Sequence, residues 1–338
     1  MEDSNKGLRC LVTGGAGFLG SHLCDQLLAR GATVTALDDL SGGRIGNLGK
    51  ALSRKGFTFV EGSAMDEALV DDLTARADLI LHLAAVVGVR RVWEAPEETL
   101  HTNVRSTQLV FDAAARHGVR VLFTSSSEVY GKATAGPLSE EAPLFVGATD
   151  SRRWSYAFSK ACGEWLAQAH HRSHGLEAVS VRLFNVVGPR QSAAGGMVLP
   201  RFVRQALDGE PLTVFGDGTQ TRSFLHVGDA ARAILGLALP GGPNEGVFNV
   251  GGTSEVDVMS LARCVARTVG GEVPIVRMPY REAFGVGFDE PRRRRPDISK
   301  LVERTGFQAT VSLEDTVAEL VREARRDARN SPPASLHP

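Results

Sequence analysis

At 338 residues and 43% hydrophobic content, the chain is long enough for one large packed α/β domain and a smaller lobe. Its 38 basic and 39 acidic residues leave a formal net charge of −1, so no global field draws it to nucleic acid or an anionic membrane, and any bound anion must be held by local groups. The four cysteines (Cys10, Cys24, Cys162, Cys264) stand singly without metal-ligand spacing, and no apolar run resembles a membrane span or secretory leader, so buried thiols, no metal and a cytoplasmic location are expected.

The first element is an apolar strand, Leu8 to Thr13, which passes through Gly14-Gly-Ala-Gly17-Phe18-Leu19-Gly20 into an amphipathic helix, Phe18 to Arg30. Gly14 permits the tight turn and Gly17 lets backbone N–H groups approach a pyrophosphate. Gly20 lets the helix pack close on the strand, with its N-terminus and the opening residues Phe18 and Leu19 toward the anion. A second strand, Thr33 to Asp38, ends in an acid placed to accept hydrogen bonds from an adenosine ribose and to repel a 2′-phosphate. NAD is therefore favoured over NADP.

Short β-rich runs then alternate with amphipathic segments: Thr58 to Glu61, Leu79 to Leu83, Arg120 to Ser125 and Ala178 to Phe184, with long helices over Glu97 to His117 and Tyr156 to His174. This alternation predicts an α/β fold over residues 1–185, a doubly wound parallel sheet of Rossmann type. Beyond Gly188-Pro189 the chain is richer in Gly and Pro, with helices predicted over Leu199 to Leu207, Val227 to Leu239, Val258 to Val269 and Ser312 to Arg326. Residues 186–329 read as a smaller C-terminal lobe, some of whose segments can return to the main sheet, and 330–338 as a disordered tail. Ligands of such sheets bind outside the strands' carboxyl ends, so the loops after Phe184 should help close a cleft.

Tyr156 and Lys160 stand four residues apart, on one face of a helix. An ammonium one turn away and a positive nicotinamide ring both favour the phenolate, so Tyr156 can remove a hydroxyl proton as hydride leaves the same carbon. Ser126, in Phe123-Thr-Ser-Ser126-Ser127-Glu128 just past a strand's carboxyl end, is placed to hydrogen-bond that hydroxyl.

The glycine spacing resembles that of the short-chain dehydrogenase/reductase superfamily, and nearly the whole chain is similar to its extended branch, which modifies nucleotide-diphosphate sugars. The resemblance implies that His82-Leu83-Ala84-Ala85 ends the strand lining the cofactor and that Asn103 is the family's helix asparagine. It implies also that Arg182-Leu-Phe184-Asn185 through Arg190 forms the nicotinamide and sugar-diphosphate loop. Gly216 through Asp229 resembles the segment that grips the nucleotide, with Arg222 a diphosphate and ribose contact. Gly62-Ser63-Ala64 departs from the family's Gly-Asp, so Ser63 and Ala64 stand where an acid would meet the adenine. Ser127 replaces the Asp that 4,6-dehydratases pair with glutamate, which disfavours dehydration.

Ser126-Ser127-Glu128 and the run Phe284 to Lys300 resemble nucleotide-sugar uronate decarboxylases, and position in that run implies that Arg294 acts with Glu128 near the carboxylated carbon. The stretches Arg153 to Lys160, Gly188 to Gln191 and Gly196 to Phe202 look most like bacterial 4-epimerases. The two resemblances conflict. Preferred here is an NAD-dependent UDP-sugar 4-epimerase interconverting UDP-glucuronate and UDP-galacturonate. A UDP-glucuronate decarboxylase is the alternative and a non-catalytic nucleotide-sensing protein the third. Tyr156, Lys160, Ser126, Ser127 and Glu128 form the expected catalytic set. Asn185, Arg190, Arg201, Arg222 and Arg294 are expected at the UDP-sugar together with Ser127 and Glu128, and the resemblance implies a homodimer through the two long helices.

Overall fold

The computed structural model describes residues 6–133, 136–144, 147–149, 151–152, 154–193, 196–285 and 291–330. Strands β1 (Arg9–Thr13), β2 (Thr33–Asp38), β3 (Phe57–Glu61), β4 (Leu79–His82), β5 (Arg120–Ser126) and β6 (Ala178–Leu183) lie in one parallel sheet with a further strand, Glu245–Val250. The spatial order is Glu245–Val250, β6, β5, β4, β1, β2, β3, so the winding reverses between β1 and β4 and opens a crevice at their carboxyl ends. This is the doubly wound, Rossmann-like sheet expected from the sequence. The seventh strand is a segment of residues 186–329 in the main sheet, whose position the sequence reading did not give: Gly246 and Asn249 break its apolar run, and Asn249 is buried with its polar atoms bonded within the fold.

Both faces of the sheet are covered, and the strands alternate between two cores as a period of two requires. Cys10, Val12, Leu79, Leu81 and Leu122 enter one core with the helices Phe18–Ala29 and Val227–Ala238, whereas Leu11, Ile80, Val121 and Phe123 enter the other with Phe111 and Ala167. Those last two residues belong to the helices Pro96–His117 and Trp154–His174. The first is delimited by local chemistry: Pro96 opens it, Glu97 and Glu98 face the positive end of its dipole, Arg116 and His117 the negative end, and Gly118 at φ 66° ends it.

The helices Val198–Leu207, Val258–Val269 and Leu313–Asn330 gather a third core around Leu199, Phe202, Leu261, Val265, Val317 and Leu320, against the paired strands Leu212–Phe215 and Ile275–Met278. The last helix runs to Asn330, past the Arg326 expected, while residues 331–338 of the expected tail lie outside the described residues, as do Arg153 and residues 286–290 of the decarboxylase-like run. Among the described residues no helix is long and apolar enough to cross a membrane, and no group of three or more His, Cys, Asp or Glu could hold a metal ion.

Candidate active site

At the carboxyl end of β1 the backbone is built for close approach. A Cβ on Gly20 would lie 2.1 Å from the Gly14 carbonyl oxygen, and one on Gly14, whose φ is +70°, would lie 2.8 Å from the Ala84 nitrogen. Glycine is the side chain that these two crossings accept. Phe18 and Leu19 form the first turn of the following helix, and Leu83 and Ala84 are tied to β1 by N–H bonds to Thr13. Asp38, 8% exposed at the end of β2, accepts from the Ala16 and Leu40 N–H groups, and burial pushes its carboxyl above the usual range. Asn103 reaches from the long helix to bond both backbone groups of Val86 and the Ser159 hydroxyl, which joins the loop after β4, including Ala85, to the tyrosine-bearing helix. Ser63 caps its own turn by accepting from the Met65 N–H, with Ala64 buried beside it. A glycine crossing of two strand ends, with an acid at the next strand's tip, fits a dinucleotide.

Tyr156 and Lys160 stand on the helix Trp154–His174. The Lys160 ammonium is 4% exposed, donates to the Thr124 carbonyl at 2.8 Å, and lies 5.0 Å from the Phe123 ring centroid and 5.9 Å from that of Tyr156. Burial pulls its pKa down to about 7. Burial also raises the Tyr156 phenol above its ordinary value; a side-chain hydrogen bond with Ser126 offsets part of the rise and the charge of Glu128 adds to it. At both groups loss of solvation is the largest cause of the shift. His82 is bonded through both ring nitrogens, to Thr13 at 2.7 Å and Thr107 at 3.2 Å, and burial with the nearby Lys160 holds it at about 3, a neutral packed imidazole.

Ser126 also accepts from the Glu128 N–H and so caps the short turn Ser127–Tyr130, in which Ser127 is buried. Glu128 makes a two-pronged ion pair with Arg294, whose side chain is 6% exposed. The four arginines of the run face different surroundings. Arg293 and Arg295 turn outward to Glu255, Arg292 is exposed, and Arg294 alone turns inward. The segment Arg293–Arg294 lies parallel to Thr221–Ser223 with Arg294 opposite Arg222, itself 7% exposed, so two buried guanidinium groups share one face. Asn185, at φ 33°, joins the end of β6 to the same strand through a bond to the Ser223 carbonyl.

Two further expected substrate contacts, Arg190 and Arg201, have partners within the fold. Arg190 pairs with Asp25 at 2.6 Å, and its backbone N–H donates to Glu323, so it links the first and last helices. Arg201 stacks 4.1 Å over Phe215, and burial lowers its pKa to about 10. Sequence reasoning missed a buried network behind the tyrosine helix. Glu164 accepts from the Ser125 hydroxyl and, at 2.7 and 2.9 Å, from Arg182, whose guanidinium lies 4.7 Å from the Tyr130 ring centroid. The signal was available: an arginine inside the apolar run of β6 needs a buried partner, and Glu164 lies two turns past Tyr156 on the same helix face.

The model of the NAD dependent epimerase/dehydratase family matches residues 10–251. The chain is 36% identical over 322 residues to UDP-N-acetyl-alpha-D-glucosaminuronate decarboxylase of Bacillus cytotoxicus, covering 93% of this chain and 97% of that one. It is 37% identical over 321 residues to UDP-glucuronic acid decarboxylase 2 of Arabidopsis thaliana, covering 95% and 69%. Its fold aligns with that of UDP-glucuronic acid 4-epimerase from Bacillus cereus, solved with UDP-glucuronic acid and NAD, at a TM-score of 0.85 and 28% identity, covering 94% and 99%.

Proposed function

From the chain's membership of the NAD dependent epimerase/dehydratase family, whose cofactor it shares, we propose that it is a UDP-hexuronate decarboxylase, with UDP-glucuronate its substrate. The observation that carries this reading is the inward Arg294, paired with Glu128 beside Tyr156 and in register with Arg222. Arg222 suits a diphosphate. Arg294, already in two-pronged contact with one carboxylate, suits the sugar carboxylate in exchange for Glu128. Relatives that decarboxylate UDP-hexuronates cover nearly the whole chain and support the same choice.

Bound NAD supplies the hydride acceptor and later donor at C4, and its positive ring favours the Tyr156 phenolate. Tyr156 takes the proton of the C4 hydroxyl and Ser126 hydrogen-bonds the same oxygen as it becomes a carbonyl. The sugar is then a β-keto acid. When Arg294 holds its carboxylate so that the bond to C5 stands across the carbonyl plane, that bond breaks and carbon dioxide leaves. The electron pair passes into the carbonyl as an enolate, which takes up at C5 the one proton the reaction consumes from solvent. Reduction at C4, with the proton returned from Tyr156, gives a UDP-pentose. Ser127 offers no acid for loss of a C6 oxygen, which disfavours dehydration.

The 4-epimerase reading is the second, favoured by the fold shared with the Bacillus cereus enzyme that binds UDP-glucuronic acid. It requires the keto sugar to turn over with its carboxylate bond held in the carbonyl plane. We also propose a cytoplasmic homodimer through the two long helices, where Phe158 and Trp165 are 54% and 74% exposed. Residues up to 185 then serve mainly NAD and later ones mainly the nucleotide sugar. Incubation with UDP-glucuronate and no added cofactor is the test. Carbon dioxide with a UDP-pentose is the expected outcome, an isomer of equal mass establishes the epimerase, and no turnover from NAD-loaded protein leaves a nucleotide-sensing role.

A further inference from the structure

A fully buried polar hub joins the two halves of the Glu128–Arg294 pair. Asn249, near the carboxyl end of the edge strand, donates from its amide to the carbonyls of Leu138 at 2.8 Å and Asp297 at 2.9 Å. Its side-chain oxygen accepts from the Tyr130 hydroxyl at 2.8 Å, and its backbone N–H donates to Glu140 at 2.7 Å. Both amide hydrogens and the amide oxygen are thus engaged. Tyr130 closes the turn that carries Glu128. Leu138 and Asp297 belong to a bridge in which the Leu138 N–H donates to the Arg295 carbonyl and the Asp297 N–H to that of Leu138, immediately after Arg294. One asparagine side chain therefore links the Tyr130 hydroxyl, in the turn that carries Glu128, to the backbone three residues past Arg294.

The tyrosine helix has its own anchors, Lys160 on Thr124 and Glu164 on Ser125 and Arg182, and it meets the hub at Arg182, which lies over the Tyr130 ring and donates to the Glu140 carbonyl; Tyr130→Phe keeps that ring. Loosening Asn249 leaves those anchors in place. It lets the turn bearing Glu128 and the segment bearing Arg294 move against one another, and a small misplacement there matters most for a bond whose breaking depends on how the carboxylate is held.

We propose that Asn249, acting through Tyr130, is a positioning residue that sets Glu128 against Arg294 and so governs the fate of the sugar after its oxidation, not the oxidation itself. The assignment rests on the functional reading above. It is tested in single turnovers of UDP-glucuronate by the NAD-loaded parent, Tyr130→Phe and Asn249→Ser, following near-ultraviolet absorbance of the reduced nicotinamide, carbon dioxide release, and the NMR signal of the Arg294 guanidinium N–H. Tyr130→Phe deletes one hydroxyl and keeps the ring packed 5.8 Å from Phe184, so it remains informative if Asn249→Ser does not fold. In the variants nicotinamide reduction is expected within about twofold of the parent, while carbon dioxide release falls about tenfold, as loss of one buried hydrogen bond allows. The Arg294 signal broadens. Equal loss of both steps, no loss of either, or an unchanged Arg294 signal overturns the assignment while the parent's activity leaves the functional reading standing. A parent that neither reduces its nicotinamide nor releases carbon dioxide overturns both.

Discussion

Replacing Lys160 by methionine tests the electrostatics of the site directly. The side chain keeps its length and loses a charge that is 4% exposed and donates to one carbonyl. Burial lowers its pKa from 10.5 to about 7, so between those values the unfolded chain binds more protons than the folded one and stability rises with pH. Below about pH 7 the cost of burying the ammonium is felt in full, about 5 kcal/mol, and it fades as pH approaches 10.5. The stability advantage of Lys160→Met over the parent is therefore largest in mild acid and should shrink by about 2 kcal/mol between about pH 7 and about pH 9. Losing the bond to Thr124 subtracts about 1 kcal/mol throughout. His82, held at about 3, is neutral at both pH values and does not intrude. Urea unfolding of both proteins without ligand measures the double difference, in which all other titrations cancel. A difference independent of pH would mean a hydrated ammonium and would remove the basis for treating this site as dry.

Tyr156→Phe should retain NAD and a parental melting temperature while turnover falls about a thousandfold, because the proton-transferring oxygen is gone and the ring is not; near-parental turnover would remove Tyr156 from the chemistry. Arg294→Met should weaken binding of UDP-glucuronate about a hundredfold and that of UDP-glucose far less, as calorimetry can measure, since only the former offers a carboxylate to that guanidinium. Equal loss for both sugars would refute carboxylate recognition. Gly20→Ala drives a methyl to 2.1 Å from the Gly14 carbonyl oxygen and should cost about 1–3 kcal/mol in thermal unfolding together with the NAD retained on purification.

The strands from Arg9 to Leu183 were legible to within one or two residues because a parallel sheet covered on both faces demands near-continuous apolar runs, and glycine or an acid punctuates their ends. The glycine turn, Asp38, and the juxtaposition of Ser126 with Tyr156 follow from that frame. What the sequence left open depends on contacts between distant segments. Arg190 follows a glycine and a proline, as a ligand-binding arginine could, but its partners Asp25 and Glu323 lie on the first and last helices. Arg294 was set apart from its three neighbours only by resemblance, and the physical reason lies in a two-residue strand that pairs with Thr221–Ser223 and turns it inward.

The same contrast explains why similarity around the tyrosine could not settle the reaction. Thr124, Ser126, Tyr156 and Lys160 lie on one strand end and one helix, and in the proposed mechanism they serve the oxidation of a sugar hydroxyl, a step shared by epimerisation and decarboxylation alike. A local resemblance to epimerases in that stretch reports the shared step. The fates diverge only after the ketone exists, and they diverge by the angle at which a carboxylate is held. The groups able to set that angle come from the short turn after β5 and from strands beyond residue 220, brought together by Arg222, Arg294 and Asn249. Exchanging the Arg294-bearing segment between a decarboxylase and an epimerase of this family should therefore move the product ratio further than exchanging the stretch around Tyr156. If the tyrosine stretch moves it more, the decision lies in the oxidation site after all.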